Sequence, residues 1–457
     1  MSSLKRCVCI LLVLLSSATY AQQSVTLKQL LSSTDQRAPQ LITDSAAIRI
    51  RQAQAAEIKS KWLPNLNLNY QVDAGTSNNV IGAYFGFGIV PSSSSGVHST
   101  NVTTGASYNL GIAALDWEIY NFGAYAAADR VANANITVEQ NNFAESKFAL
   151  QGYTIDTYLN LLRLQNLLTI QAMDVQRNQQ IRNSIESLAK SGIRPGVDTS
   201  IAEAELSKSR LNYIEVANQL KQVQLQLSSV SGIPYQSIVG DTTTSDQLIA
   251  QPIPMYSMDT VNHPLINYYR SVYESSVLQE DFVKKEYNPK IHLEAAAWDR
   301  GSSINSADQY GSYGSGFAFQ RDNYLVGLGI SYNLFDLRRR HLKVNTQKAA
   351  TDYYQKKLEE QQQLLAVSAN QADVEMATAQ QRLKEIPDEI RAADRGYRQK
   401  LSLYRSGLTD ILELDQALQI LYRAETDEAQ AKYDYANAVF QKAITGNQLN
   451  QVLNTLK

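Results

Sequence analysis

The stretch YRSGLTDILELDQALQILYRAETDEAQAKYDYANAVFQKAITG, residues 404–446, is written twice in this chain. Counting back 215 positions reaches residues 189–231, where Gly407 falls on Gly192, Glu413 on Asp198 and Ala417 on Ala202. The series Leu414, Ala417, Leu421, Ala424, Glu428, Ala431, Tyr435 and Ala438 falls on Thr199, Ala202, Leu206, Ser209, Tyr213, Val216, Leu220 and Val223. Spacings of three and four in both copies describe a helical seam narrow enough for helix-on-helix packing. A break at Gly, an acidic residue six positions later and then such a seam predict the tip and return arm of a helical hairpin. One chain therefore carries two hairpins.

The arms reaching those tips are long. From Gly123 to Gly192, and again from Arg338 to Gly407, there are 69 residues, about 100 Å if helical throughout at 1.5 Å per residue. Each return arm, Asp198–Ser231 and Glu413–Gly446, is roughly half as long and cannot climb back alone. The helical stretch 25–62, stacked end to end on the first return arm, supplies the missing length, and the stretch after Pro264 does so for the second. Pro387 interrupts the second outgoing arm, where a kink or a fresh helix start is expected.

After Pro64 and Pro289 the period changes to that of a strand. Leu66, Leu68, Tyr70 and Val72 alternate with Asn65, Asn67, Asn69 and Gln71. Tyr108, Leu110, Ile112 and Ala114 alternate with Asn109, Gly111 and Ala113. Ile291, Leu293, Ala295 and Ala297 form a third apolar row, and Tyr324, Val326, Leu328, Ile330 and Tyr332 a fourth. Each row belongs to roughly the 9 to 11 residues that a tilted strand needs to cross a bilayer. In a soluble sandwich the polar row would face water and the apolar row a core; in a membrane barrel the apolar row faces lipid and the amides a wet lumen. Four strands cannot close one, since the smallest have about eight, and an open edge in lipid would leave backbone groups unpaired. If these strands sit in lipid, the barrel must be shared between chains. The segments 75–102 and 301–321, rich in Gly, Ser, Asn and aromatics, are expected to be mobile hairpin loops without a specific ligand.

The bulk numbers fit an exported, non-catalytic protein. Among 457 residues, Lys and Arg number 42 and Asp and Glu 44, with no basic cluster to hold nucleic acid. Lys5 and Arg6, an apolar run over 7–15 and SSATYA ending at Ala21 predict an export signal over 1–21. Both cysteines, Cys7 and Cys9, lie within it, which excludes disulfides and thiol chemistry from the remainder and leaves no lipid-attachment cysteine. No later run of about 18 apolar residues predicts a membrane helix. The four histidines, at 98, 263, 292 and 341, have no ligand partner three or four residues on, and there is no nucleophile elbow or phosphate loop. No enzyme, metal site or cofactor is expected.

The pattern Tyr404-x-x-Gly407, then a hydrophobe, an acidic residue and an Ala on the returning helix, closing with Ala429-x-x-x-Tyr433-x-Tyr435 and Thr445-Gly446, resembles the TolC family of outer-membrane efflux channels. The resemblance spans nearly all of the chain after the leader. It implies an α+β membrane protein in which long α-helical hairpins form a periplasmic tunnel and four β-strands per chain contribute to a trimeric 12-stranded transmembrane barrel, built as two tandem repeats. The first repeat is expected over 22–231, with strands 64–74 and 104–119 and a tip near 192–198. A linker or equatorial segment follows over 232–263. The second repeat covers 264–446, with strands 289–300 and 322–336 and a tip near 407–413, before a tail over 447–457.

The same resemblance implies a homotrimer set in outer-membrane lipid. It would be the exit duct of a tripartite efflux or type I secretion system, joined through a periplasmic adaptor to an inner-membrane pump. It makes Asp198 and Glu413 candidates for a periplasmic aperture, as equivalent carboxylates near one level, and Gly192, Ile193, Gly407, Leu408 and Thr409 candidates for adaptor docking. Gln416 and Thr409 stand where some members carry a further aspartate and an arginine, so a network of the same detail is not implied. Asp198 and Glu413 also suit the first turn of any helix, where the dipole favours acids. The competing reading is a periplasmic or surface coiled-coil protein of structural or adhesive type, with its strands in a soluble sheet.

Overall fold

The computed structural model describes residues 24–80, 97–250 and 259–456. The expected export signal, both cysteines, most of the first loop and part of the equatorial segment lie outside the described residues. The described residues divide into two units, one of residues 24–49, 137–250, 259–273 and 354–456 and the other of residues 50–80, 97–136 and 274–353.

The second unit holds the sheet. Strands β1 (Asn65–Gly75), β2 (Ala106–Tyr120), β3 (Lys290–Ser302) and β4 (Arg321–Ser331) pair antiparallel in the order β1-β2-β3-β4, so β1 and β4 are both open edges. β4 stops at Ser331, short of the expected 336. Directly paired residues share a face. Leu66, Leu68 and Tyr70 pair with Leu115, Ala113 and Gly111. Ala113 pairs with Ala297, and Ala297, Ala295 and Leu293 with Tyr324, Val326 and Leu328. That face is apolar and exposed across β1 and β4.

On β2 the register reverses the sequence expectation. Tyr108, Leu110 and Ile112 pair with Asp73, Gln71 and Asn69 and so lie on the polar face, while Ala113, Leu115 and Trp117 lie on the apolar one. The lower half of β2 explains this. Asp116 and Glu118 continue the row of Leu110 and Ile112, and they meet His292 and Lys290 across the strand pair at 2.9 Å each. Two acids in a row assign its face more strongly than three apolar residues do, because an unpaired carboxylate in hydrocarbon is very costly.

The first unit is helical, and four of its helices include residues of the second. Helices α1 (Leu27–Arg37) and α2 (Pro39–Ser60) begin the chain, and α3 (Ala124–Lys190) and α4 (Gly196–Ser231) form the first hairpin. A short α5 (Thr243–Ala250) precedes α6 (Pro264–Glu286). Helices α7 (Asp336–Arg405) and α8 (Ile411–Thr445) form the second hairpin, and α9 (Leu449–Thr455) ends the described chain. With 67 and 70 residues, α3 and α7 are each about 100 Å of helix. Helix α7 runs through Pro387 without a fresh start.

The doubled seam is buried at most of its expected positions, with Tyr213 exposed. Ala202, Leu206, Ser209, Val216 and Val223 are buried on α4, and Leu414, Leu421, Ala424, Ala431, Tyr435 and Ala438 on α8. α1 opens on a capping box in which Thr26 and Gln29 satisfy each other's backbone N–H groups. Its Leu27, Leu30 and Leu31 join Tyr158 and Leu161 of α3, Leu227 of α4 and Phe440 of α8 in the main core. The equatorial segment is laid on that core: Ile238 and Leu248 are buried in it, and Val25 N–H donates to Val239 O at 2.7 Å. The tail packs rather than trails, through Leu449, Val452 and Leu456.

The far end of each return arm meets a helix from earlier in the same repeat. Gly232, which caps α4 at φ 67°, lies against Arg37, and Val230 packs on Ala38 and Leu41. In the second repeat His263 is buried against Phe148, its Nε2 3.1 Å from Ile444 O and its Nδ1 accepting from Leu265 N–H at 3.2 Å. The ring is thus neutral with its proton on Nε2, and burial pushes its pKa down.

Candidate functional site

Both hairpin tips are built by one backbone motif, repeated at the same offset. Gly192 N–H donates to Ala189 O and Ile193 N–H to Leu188 O; Gly407 N–H donates to Tyr404 O and Leu408 N–H to Leu403 O. These are the paired bonds of a Schellman ending, which requires its C′ residue to enter left-handed space. Gly192 and Gly407 do so at φ 72° and 79°. The next residues, Ile193 and Leu408, are exposed, and so are Val197 and Leu412 one helical turn further on, again 215 positions apart. Each tip presents two bare aliphatic side chains.

The two tips part at the next residue. In the second, Asp410 caps α8 by accepting from Glu413 N–H at 2.8 Å. In the first, Pro195 stands at that position and no side chain caps α4. Instead Arg194 reaches across to the other hairpin. Its Nη2 donates to Tyr404 O at 3.0 Å and to Thr409 O at 2.5 Å, and its guanidinium lies 4.4 Å from the centre of the Tyr404 ring. The carbonyl of Tyr404 belongs to the last turn of α7, where helix carbonyls lack intrahelical partners and attract cations.

Asp198 and Glu413 hold equivalent positions in the repeat and occupy different surroundings. Asp198 is only 8% exposed and accepts a 3.1 Å hydrogen bond from the hydroxyl of Tyr404, itself 1% exposed. Burial first, and then the Asp198 carboxylate, push the Tyr404 phenol up to about 12. Ile181, Ile185, Ala202, Ile411, Leu414 and Leu418 enclose the pair. Glu413 faces outward, bound by Lys400 at 2.6 Å and by the Thr409 hydroxyl. Those two hydrogen bonds, that from Lys400 the larger, hold its carboxyl below its usual range. Asp198 and Glu413 are thus equivalent in the repeat and unlike in burial and partners.

Further along α3, Arg177 grips Glu425 of α8 with two hydrogen bonds of 2.8 and 2.5 Å. Asp174 is buried beside them, with Oδ1 unpartnered among the described residues. Burial raises its pKa to about 6 against the pull of Arg177. Asp174 and the cross-hairpin bonds of Arg194 had no part in the sequence-derived site. The signal for Arg194 was present, as the one long cation within either turn, facing Thr409 in the repeat. Nothing local marks Asp174, because its burial comes from a helix more than 200 residues away. Among the described residues no cluster of His, Cys, Asp and Glu could hold a metal, and no helix is long and apolar enough to cross a membrane.

The sequence pattern of the outer membrane efflux protein family matches residues 30–233 and 279–441, together well over half of the chain. No curated protein sequence matches significantly. Among solved structures, the Campylobacter jejuni CmeC outer membrane channel covers 93% of this chain over 86% of its own, at 15% identity and a TM-score of 0.73. The outer membrane protein VceC from Vibrio cholerae covers 92% over 95% of its own, at 14% identity and 0.71. CusC, described in terms of transmembrane channel formation, covers 92% over 91% of its own, at 14% identity and 0.75. At such identities the likeness is one of fold.

Proposed function

Since the chain belongs to the outer membrane efflux protein family and is therefore an efflux duct of the outer membrane rather than an enzyme, we propose that three copies build the duct. Their sheets would close one 12-stranded barrel, and their hairpins would form a periplasmic tunnel leading to an adaptor and an inner-membrane pump. The observation that carries this reading is the sheet, whose four strands have two open edges and an apolar, exposed outer face. Lipid-exposed edges are excluded by unpaired backbone groups, and three sheets joined edge to edge remove them. Leu211, Ile214 and Leu225 on α4, and Leu364, Val367 and Val374 on α7, are exposed at helical spacing and suit contact with further copies. The test is native mass spectrometry of the detergent-extracted protein. A trimer is expected; a compact monomer at micromolar concentration sinks the proposal.

The tips serve as gate and dock in this reading. Arg194, Tyr404 and Asp198 tie the two hairpins of one chain, so that opening the mouth moves both tips together or breaks the tie. Glu413 is the carboxylate left to face the passage or a neighbouring copy. Gly192–Ile193 and Gly407–Leu408–Thr409, with Val197 and Leu412 beside them, offer paired aliphatic knobs to the adaptor. Because Arg194 replaces Thr409 in the first tip, the two docking grooves differ. Cargo is set by the pump, since nothing at either tip or in the sheet selects a substrate class.

A further inference from the structure

The segment between β3 and β4, residues 303–320, does not stand away from the sheet as a free loop. It folds back onto β2 and β3. Ser107 Oγ donates to Tyr313 O at 2.5 Å, Asn109 Nδ2 to Phe317 O at 2.7 Å, and Gln320 N–H to Arg300 O at 2.9 Å. The approach is close enough to require missing side chains. A Cβ on Gly301 would lie 1.9 Å from Ala318 O, and one on Gly316 would lie 2.2 Å from Ser107 Oγ. The Phe319 ring fills the space over Gly111 and meets Tyr70 edge-on, with centroids 6.0 Å apart.

The face it covers is the decisive point. Ser107, Asn109, Gly111 and Gly301 lie on the side of the sheet that carries Leu68, Ala113, Ala297 and Val326. Along that side the chemistry changes once. On β2, β3 and β4 it is apolar as far as Ala113, Ala297 and Tyr324 and becomes Gly111, Asp299 and Asp322 one pair further on, while on β1 Tyr70 and Val72 continue the apolar row. The flap attaches at this change, and Tyr313, Phe317 and Phe319 remain 58, 51 and 54% exposed on it. Tyr313, with an apolar ring and a polar hydroxyl, suits the level where hydrocarbon meets headgroups, and barrels in outer membranes carry girdles of aromatic residues at both interfaces.

We propose that the 303–320 flap is a lipid-binding collar, which sets Tyr313, Phe317 and Phe319 among the headgroups of the outer leaflet and extends the lipid-facing band of the barrel beyond its strands. This rests on the reading that the aliphatic face looks into lipid. The polar face, with Asn65, Asn67, Asn69, Gln71, Glu294 and Arg300, is the wet side, and the flap is on the other. The flap lies over the two central strands of the sheet rather than at an edge where a second copy would pair.

The test uses the full chain with Cys7 and Cys9 changed to Ser, reconstituted in phosphatidylethanolamine–phosphatidylglycerol vesicles. Single variants Phe317→Cys, Phe319→Cys, Leu328→Cys and Asn69→Cys carry a bimane label. Spin-labelled lipids bearing the quencher near the headgroup should remove about half of the emission or more at positions 317 and 319, and aqueous iodide little. Mid-chain spin labels should quench position 328, and iodide alone position 69. If positions 317 and 319 behave like 69, or are shielded from both quenchers as a second copy would shield them, the collar is overturned. If position 328 also escapes the lipid quenchers, the lipid-facing reading itself fails. Gly301→Val in the Phe317→Cys chain, which pushes the flap off without touching the rings, should cut lipid quenching at least twofold; unchanged quenching counts against the attachment as its cause.

Discussion

The hydroxyl of Tyr404, at the end of the second outgoing arm, donates to the carboxylate of Asp198, 206 residues earlier at the start of the first return arm. The bond is buried, so its loss leaves a desolvated carboxylate with one partner fewer. Tyr404→Phe is expected to destabilise the tips by about 1–3 kcal/mol and to raise single-channel conductance in a planar bilayer. Unchanged conductance together with unchanged thermal stability would remove this pair from the gate.

Arg194 contributes two hydrogen bonds to carbonyls and a stacked cation. Arg194→Met keeps much of the stem and removes the fork, and is expected to loosen the tips by roughly 1.5–3 kcal/mol. Limited proteolysis near 192–198 and 407–413 should accelerate. Arg194→Lys should rescue little, since a point charge cannot bond both carbonyls while stacking on Tyr404. Full rescue by Lys would reduce the interaction to charge alone.

Asp174 and His263 set opposite pH slopes. Asp174 has a folded pKa raised to about 6, so the folded state binds its proton more tightly than the unfolded one. Its contribution to stability is fully present below about pH 4 and is lost as pH rises through about 6. Asp174→Asn should therefore stabilise the protein at pH 7.5 by roughly 1–2 kcal/mol, allowing for solvent screening. The same variant should show no gain at pH 4; a gain of equal size at both pH values rules out titration as its cause.

His263 has a folded pKa lowered by burial. Its contribution is fully present above its ordinary pKa of about 6.5 and is lost as pH falls toward the folded value. Protonating Nδ1 removes the acceptor that Leu265 N–H uses at the start of α6. Hydrogen exchange at Leu265 should accelerate between pH 7.5 and 5.5 after correction for intrinsic rates, and a His263→Asn chain should lose that dependence. Exchange indifferent to pH in the parent chain refutes it.

The β2 register is checked by paired charges. Leu328→Lys on the apolar face is expected to cost roughly 2–4 kcal/mol near the bilayer midplane and to reduce insertion. Ile112→Lys, beside Asn69 on the polar face, should insert nearly normally. Reversed outcomes would turn the sheet inside out.

The sequence by itself determined the elements and their duplication. A period of 3.6 or 2 is a local property, and a 215-residue repeat is visible without contacts, so hairpins, tip glycines and four strands were all legible. The proposal that further copies complete the barrel also starts from counting strands against edges. The tertiary structure decided what depends on distant partners. The face of β2 was misassigned because both of its rows are partly apolar; pairing with Asn69 and Gln71, together with Asp116 and Glu118 further along the row, puts Leu110 and Ile112 on the polar side. Asp198 and Glu413 match in the repeat, yet Tyr404 buries one while Lys400 meets the other in the open. A repeat fixes where a side chain sits on its own helix; its charge, burial and partner are set by whichever helix the fold brings against it.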